Sequence, residues 1–217
     1  MRKVIVWNLV SLDGYYEGPG GNVMVLPLDG SFDAYSAERL RAADILLLGR
    51  RTYEQFRGFW PSVANHDEAT KAQQDVSRRM NEMNKAVVSD NLSMDASAPW
   101  SANTEIIRRS DAHDRIAELK AESGGDIVVA GSHILWNDLL AHGLVDELHL
   151  MIGAVVLGAG TPAFDRKPDV HLRLVDVHKL DDSENMVTRY EVTANDEAGA
   201  PEQVSIGVTP DSLRTGA

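Results

Sequence analysis

Four short apolar runs, each closed by a turn of small or polar residues, constrain the fold of this chain more than any other feature: Arg2–Leu9, Ile45–Leu48, Lys85–Ser89 and Asp126–Ala130. Their centres are Val, Ile and Leu without polar alternation, the pattern of strands buried on both faces. Amphipathic stretches lie between them. Phe32–Ala43 places Phe32, Leu40 and Ala43 on one side, and a second helix opens at Arg50 and is expected to stop before Pro61. Asp67–Asn84 reads as a polar helix, Glu105–Arg108 as a further strand, and Ala112–Glu122 as a helix ended by Ser123-Gly124-Gly125. Leu135, Trp136, Leu139 and Leu140 mark one more helix before Gly143. From Val145 strands follow one another, through Val156 and then as a hairpin of His171–His178 and Met186–Val192. Alternation followed by strands predicts an α/β fold: a mostly parallel central sheet flanked by helices, with a C-terminal antiparallel hairpin. Residues 1–194 make one domain, and 195–217, rich in Gly, Ala, Pro, Ser and Asp, read as a tail or arm.

Composition removes several classes of function. With no cysteine there is no disulfide, thiolate zinc site or thiol nucleophile, which fits a cytoplasmic protein. A net charge of −12 opposes nucleic-acid binding, so an anionic ligand needs a local cluster of positive charge. No apolar run is long enough to cross a bilayer, and the apolar stretch behind Met1-Arg2-Lys3 is broken at Asn8, Ser11 and Asp13, as a first strand and not a leader. The histidines at 66, 113, 133, 142, 149, 171 and 178 show no H-E-x-x-H or other metal spacing, so no metal is expected. A nucleophile elbow, a phosphate-binding Walker loop and a G-x-G-x-x-G turn are all missing.

In a parallel sheet the ligand sits beyond the carboxyl ends of the strands. That edge collects Ser11–Gly14, Gly49–Thr52, Ser89–Asn91 and Gly131–His133. Gly49-Arg50-Arg51-Thr52 opens a helix after a buried strand and combines free N–H groups, a hydroxyl and two guanidinium forks, all suited to phosphate; it also reads as an ordinary arginine pair at a helix start. Gly131-Ser132 has the same strand–turn–helix setting, or is a tight turn that needs glycine for steric reasons. Asp13 is a candidate proton relay or substrate orienter, or a turn-forming Asp before Gly14.

Taken in order, Ser11-Leu12-Asp13-Gly14-Tyr15, Leu48–Glu54, Val87-Val88-Ser89, Val129–Leu135, Leu144–Leu148 and Leu157–Pro162 resemble the family that unites dihydrofolate reductase with the reductase domain of the bifunctional riboflavin-biosynthesis deaminase–reductase. The resemblance spans roughly Lys3 to Val192 and is closest to small stand-alone members; a deaminase half, whose zinc motif needs cysteines, is absent. It implies a dihydrofolate-reductase-like fold, a homodimer, and hydride transfer from NADPH, with NADH possible, to a small heterocyclic or ribosyl substrate. A pyrimidine precursor of riboflavin comes first and a pterin second; a non-catalytic nucleotide- or flavin-binding relative is the other reading. Carried over by position, Gly49, Arg50, Arg51 and Thr52 hold cofactor phosphates, Ser89 lies by the adenosine ribose, Gly131 and Ser132 lie under the diphosphate, and Asp13 faces the reaction cleft. Three departures stand out. The riboflavin reductases carry Glu-Gly-Gly where this chain has Ala130-Gly131-Ser132. Asp90 would repel a ribose 2′-phosphate if it pointed inward. Asp29, Asp33 and Glu38 lie near the place of the carboxylate that folate-reducing relatives carry on the first helix, but none aligns with it.

Overall fold

The computed structural model describes residues 1–195, so the expected tail lies outside the described residues beyond Asn195. In chain order the strands are β1 (Val4–Ser11), β2 (Tyr15–Glu17), β3 (Ala43–Gly49), β4 (Asn84–Val88), β5 (Thr104–Ile107), β6 (Asp126–Ala130), β7 (Glu147–Gly153), β8 (Thr161–Pro162), β9 (Val170–Lys179) and β10 (Met186–Ala194). The helices are α1 (Gly30–Arg41), α2 (Arg50–Val63), α3 (Lys71–Glu82), α4 (Ala112–Ala121) and α5 (His133–Ala141). Eight strands form one sheet in the order β5-β4-β3-β6-β1-β7-β10-β9. From β5 to β7 every pairing is parallel, and β10 is antiparallel to both β7 and β9.

The architecture matches the expected one, and burial explains why it was readable. All eight residues of the central β1 are buried. Ile5, Trp7 and Leu9 face one core with Leu46, Leu48 and Val87, under Tyr35, Leu40, Tyr53, Val76 and Met80 of α1, α2 and α3. Val4 and Val6 face the other core with Leu47, Ile127 and Val129, under Ile116, Leu119, Trp136 and Leu139 of α4 and α5. Successive side chains point to opposite faces, so a strand covered on both sides must be apolar throughout.

Pro61 does not stop α2, which runs on to Val63. Pro61 has no N–H to give the Arg57 carbonyl, but only one further turn lies beyond it, and the last carbonyls of any helix have no partner within it. Side chains of α3 take over there: the Ser77 hydroxyl donates to the Trp60 carbonyl, Asn81 donates to the Pro61 carbonyl, and the Ala64 N–H donates to Ser77 Oγ. The polar helix begins at Lys71 instead of Asp67, because Thr70 and Gln73 close a reciprocal capping box. The pair β2–β8, joining Tyr15 to Pro162 and Glu17 to Thr161, was not expected from the sequence.

Candidate functional site

The carboxyl ends of β3 and β6 feed directly into α2 and α5, and the two turns are bonded to each other. The Ser132 N–H donates to Thr52 Oγ1 at 3.0 Å, and the Gly49 N–H donates to Ser132 Oγ at 3.0 Å. Each hydroxyl accepts one bond and keeps its proton to donate elsewhere. Gly131 and Ser132 both adopt left-handed backbone angles, φ 60° and 56°, and their peptide bond is trans. A Cβ on Gly131 would lie 2.8 Å from Thr52 Cγ2 and 3.4 Å from the Tyr16 hydroxyl, so both angle and space demand glycine. Neither α2 nor α5 has a side-chain cap. Their first-turn N–H groups, with the positive end of each helix dipole, are left for another acceptor.

The arginines are not equivalent. Arg50 pairs with Glu54 one turn along α2, at 3.4 Å. Arg51 has no carboxylate partner among the described residues, and its guanidinium lies against Gly21 of the loop after β2, where a Cβ would come within 2.6 Å of Nη2. Arg51 is therefore the uncompensated cation beside the turns. Ser89 is buried, and its hydroxyl accepts from the Asn91 and Leu92 N–H groups, shaping the turn after β4. Asp90 accepts from the Arg109 N–H at 3.0 Å and lies 3.8 Å from its guanidinium, so its charge is met by the start of the α4 segment.

Asp13 is exposed, yet its carboxylate is fully engaged. It accepts from the Ser11 hydroxyl at 2.6 Å, the Leu157 N–H at 3.1 Å and the Gly158 N–H at 2.7 Å. The Ser11 bond and those amides hold its pKa down at about 2. Such a group stays ionised at neutral pH and gives no proton; it ties the loop after β7 to the turn after β1. The Leu12 N–H bond to Val155 and the Ala163 N–H bond to Gly14 reinforce the same tie. The three acids near α1 are committed too. Asp29 caps α1 and accepts from Ser183 and Asn185, Asp33 accepts from Gln73 of α3, and Glu38 pairs with Arg39.

Tyr16 was missed. Its ring packs 4.9 Å from that of His133, its hydroxyl lies over Gly131, and burial pushes its pKa up to about 12, so it is a neutral phenol between the two helix-opening turns. His133 Nε2 sits 2.8 Å and 3.1 Å from the carbonyls of Pro162 and Ala163, which only accept, so this nitrogen carries the proton. The one sequence signal for Tyr16 is its place directly after Ser11–Tyr15. Half-buried Phe32, Phe56 and Trp60 pack against the same core as Val155 and Leu157. Phe56 and Trp60 follow Thr52 at successive turns of α2.

Residues 2–187 match the family model described as the RibD C-terminal domain. The chain is 28% identical over 175 residues to the uncharacterized protein YyaP of Bacillus subtilis (strain 168), covering 80% of this chain and 87% of that one. Among solved structures, it is similar to the diaminohydroxyphosphoribosylaminopyrimidine deaminase/5-amino-6-(5-phosphoribosylamino)uracil reductase of Thermotoga maritima, with TM-score 0.61 and 12% identity over 88% of this chain and 57% of that one. It is also similar to a dihydrofolate reductase of Enterococcus faecalis complexed with NADP(H), with TM-score 0.57 and 14% identity over 88% and 96% of the two chains.

Proposed function

The chain belongs to the RibD C-terminal domain family, and on that premise we propose that it is a nicotinamide-dinucleotide-dependent reductase, using NADPH ahead of NADH. Its substrate would be a small heterocyclic or ribosyl compound related to 5-amino-6-(5-phosphoribosylamino)uracil, with a pterin second. The carrying observation is the interlocked pair of helix starts, whose hydroxyls keep free protons, whose amides lack caps, and whose one close approach excludes a Cβ at Gly131. Gly49–Thr52 and Gly131-Ser132 would hold the diphosphate, Arg51 would meet the remaining phosphate charge, and the Ser89 turn would lie by the ribose. Asp90 faces Arg109, which removes the main objection to a 2′-phosphate.

The bound dinucleotide supplies hydride; the chain's own part is binding, orientation and exclusion of water. Asp13 positions the Val155–Gly158 loop, and Tyr16 keeps a phenolic proton available over Gly131. The protein would work as a homodimer in the cytoplasm; among the described residues no helix is long and apolar enough to cross a membrane. Ala130 at the position of the family's glutamate, together with an ionised Asp13, favours as second reading a dinucleotide or flavin binder without catalysis.

Fluorescence titration with NADPH, NADH and flavin mononucleotide decides between them. Micromolar binding of NADPH, tighter than NADH, is expected. Binding of the flavin alone would overturn the assignment.

A further inference from the structure

The geometry points to a divalent transition-metal site, best suited to zinc, made by His113, Asp138 and His142. No short metal motif announces it. Asp138 and His142 are four residues apart and share one side of α5, with His142 at its C-terminal cap, while His113 comes from the first turn of α4. His113 Nε2 lies 2.7 Å from one Asp138 carboxylate oxygen. His142 Nδ1 lies 3.4 Å from the other, but it donates to the Asp138 backbone carbonyl at 2.8 Å, so the ring must give up that bond or turn before this nitrogen can take an ion. The two imidazole rings stand 3.9 Å apart at an interplanar angle of 32°. One donor atom from each residue falls within 4.8 Å of the other two.

Zinc bonds of about 2.0–2.1 Å in tetrahedral geometry put ligand atoms roughly 3.4 Å apart. The three side chains are between 40% and 46% exposed, so they have freedom for that contraction and an ion can reach them from solvent. Two imidazoles and one carboxylate select a first-row transition ion over magnesium or calcium, which need oxygen ligands. Three protein ligands leave a fourth position for water. The ion would tie α4 to the C-terminal end of α5, the helix whose opposite end carries Gly131-Ser132. This site is independent of the reductase reading.

Untagged full-length protein titrated calorimetrically with zinc chloride should bind one equivalent in the micromolar range or tighter, with a rise in Tm, and magnesium chloride should give neither. Cobalt(II) should produce the visible absorption of a four-coordinate N/O site. His142→Ala and His113→Ala, each confirmed folded by circular dichroism, should weaken zinc binding about tenfold or more and abolish the Tm rise. No zinc binding by the wild type, or zinc binding undiminished in both variants, overturns the proposal.

Discussion

The helices of this protein begin in two different ways. The starts of α1 and α3 are closed by the chain itself: Asp29 accepts from the Ser31 and Phe32 N–H groups, and Thr70 with Gln73 makes a capping box. The starts of α2 and α5 have no side-chain cap, although each follows a buried strand and sits at the carboxyl edge of the sheet. A cap contributes about 1 kcal/mol. Doing without it at these two turns, while bonding the turns to one another through Thr52 and Ser132, is the arrangement expected where an anion satisfies the amides. α4 also starts without a side-chain cap, at Asp111, though it is not bonded to another helix-opening turn as α2 and α5 are, and Asp90 meets the Arg109 N–H in the turn before it.

The sharpest way to break this comparison is to install the missing cap. Gly49 has ordinary extended angles, φ −81° and ψ 158°, and a Cβ there would meet nothing closer than Ser132 at 4.0 Å. Gly49→Asp therefore fits, and its carboxylate can accept from the first-turn amides of α2. Thermal unfolding should show stability unchanged or higher by a few tenths of a kcal/mol, as for glycine replaced by a capping residue. NADPH affinity should fall about a hundredfold, because the amides are occupied and a like charge faces the phosphates. Undiminished affinity would show that the α2 start does not hold the dinucleotide.

A smaller effect is expected from the arginines, which separate local charge from the turn itself. Arg51→Ala should weaken NADPH binding by about 1–3 kcal/mol, the range of a charge-assisted hydrogen bond. Arg50→Ala should change it by less than about 0.5 kcal/mol, because that guanidinium already faces Glu54 across one exposed helical turn. Paired titrations of the two variants check this, and the reverse order would move the phosphate to the outer face of α2.

The same contrast explains what could be read from the residues alone. Strands β1, β3 and β6 were legible because burial on both faces leaves a continuous apolar run, and the helix starts at Gly49 and Gly131 were legible because small residues must follow such runs. The strands β2 and β8 are three and two residues long and exist only by pairing with each other across the chain; no local pattern encodes that. The Thr52–Ser132 bond likewise spans 80 positions. Asp13 shows the limit most clearly. Locally it is a turn aspartate in a candidate cleft, but two amides from a loop some 144 residues away join Ser11 on its carboxylate and make it an anchor that stays charged. Tyr16 became visible only through its distance to Gly131, and His113 only through its distance to Asp138.

The smallest effect concerns the closed kind of helix start and tests the comparison from its other side. Asp29 caps α1 and also accepts from the Ser183 hydroxyl and the Asn185 amide, so it docks the β9–β10 turn on the same helix end. Burial pushes its pKa up, but the bonds from Ser183, Ser31 and Phe32 outweigh that and hold it below its ordinary value of 3.8. The unfolded chain then binds more protons than the native one as the acid range is entered, so the cap's share of stability is whole above 3.8 and is lost as pH falls through the lower folded value. Asp29→Ala should cost about 1 kcal/mol at pH 7, a fall in Tm of roughly 2–4 °C for a domain of this size. The deficit against wild type should narrow in melts taken below pH 3.8, where the wild type gives up the same contribution. NADPH affinity should not move. A fall in affinity equal to that of Gly49→Asp would mean that closed and open helix starts serve the same end, and that capping does not mark where the ligand lies.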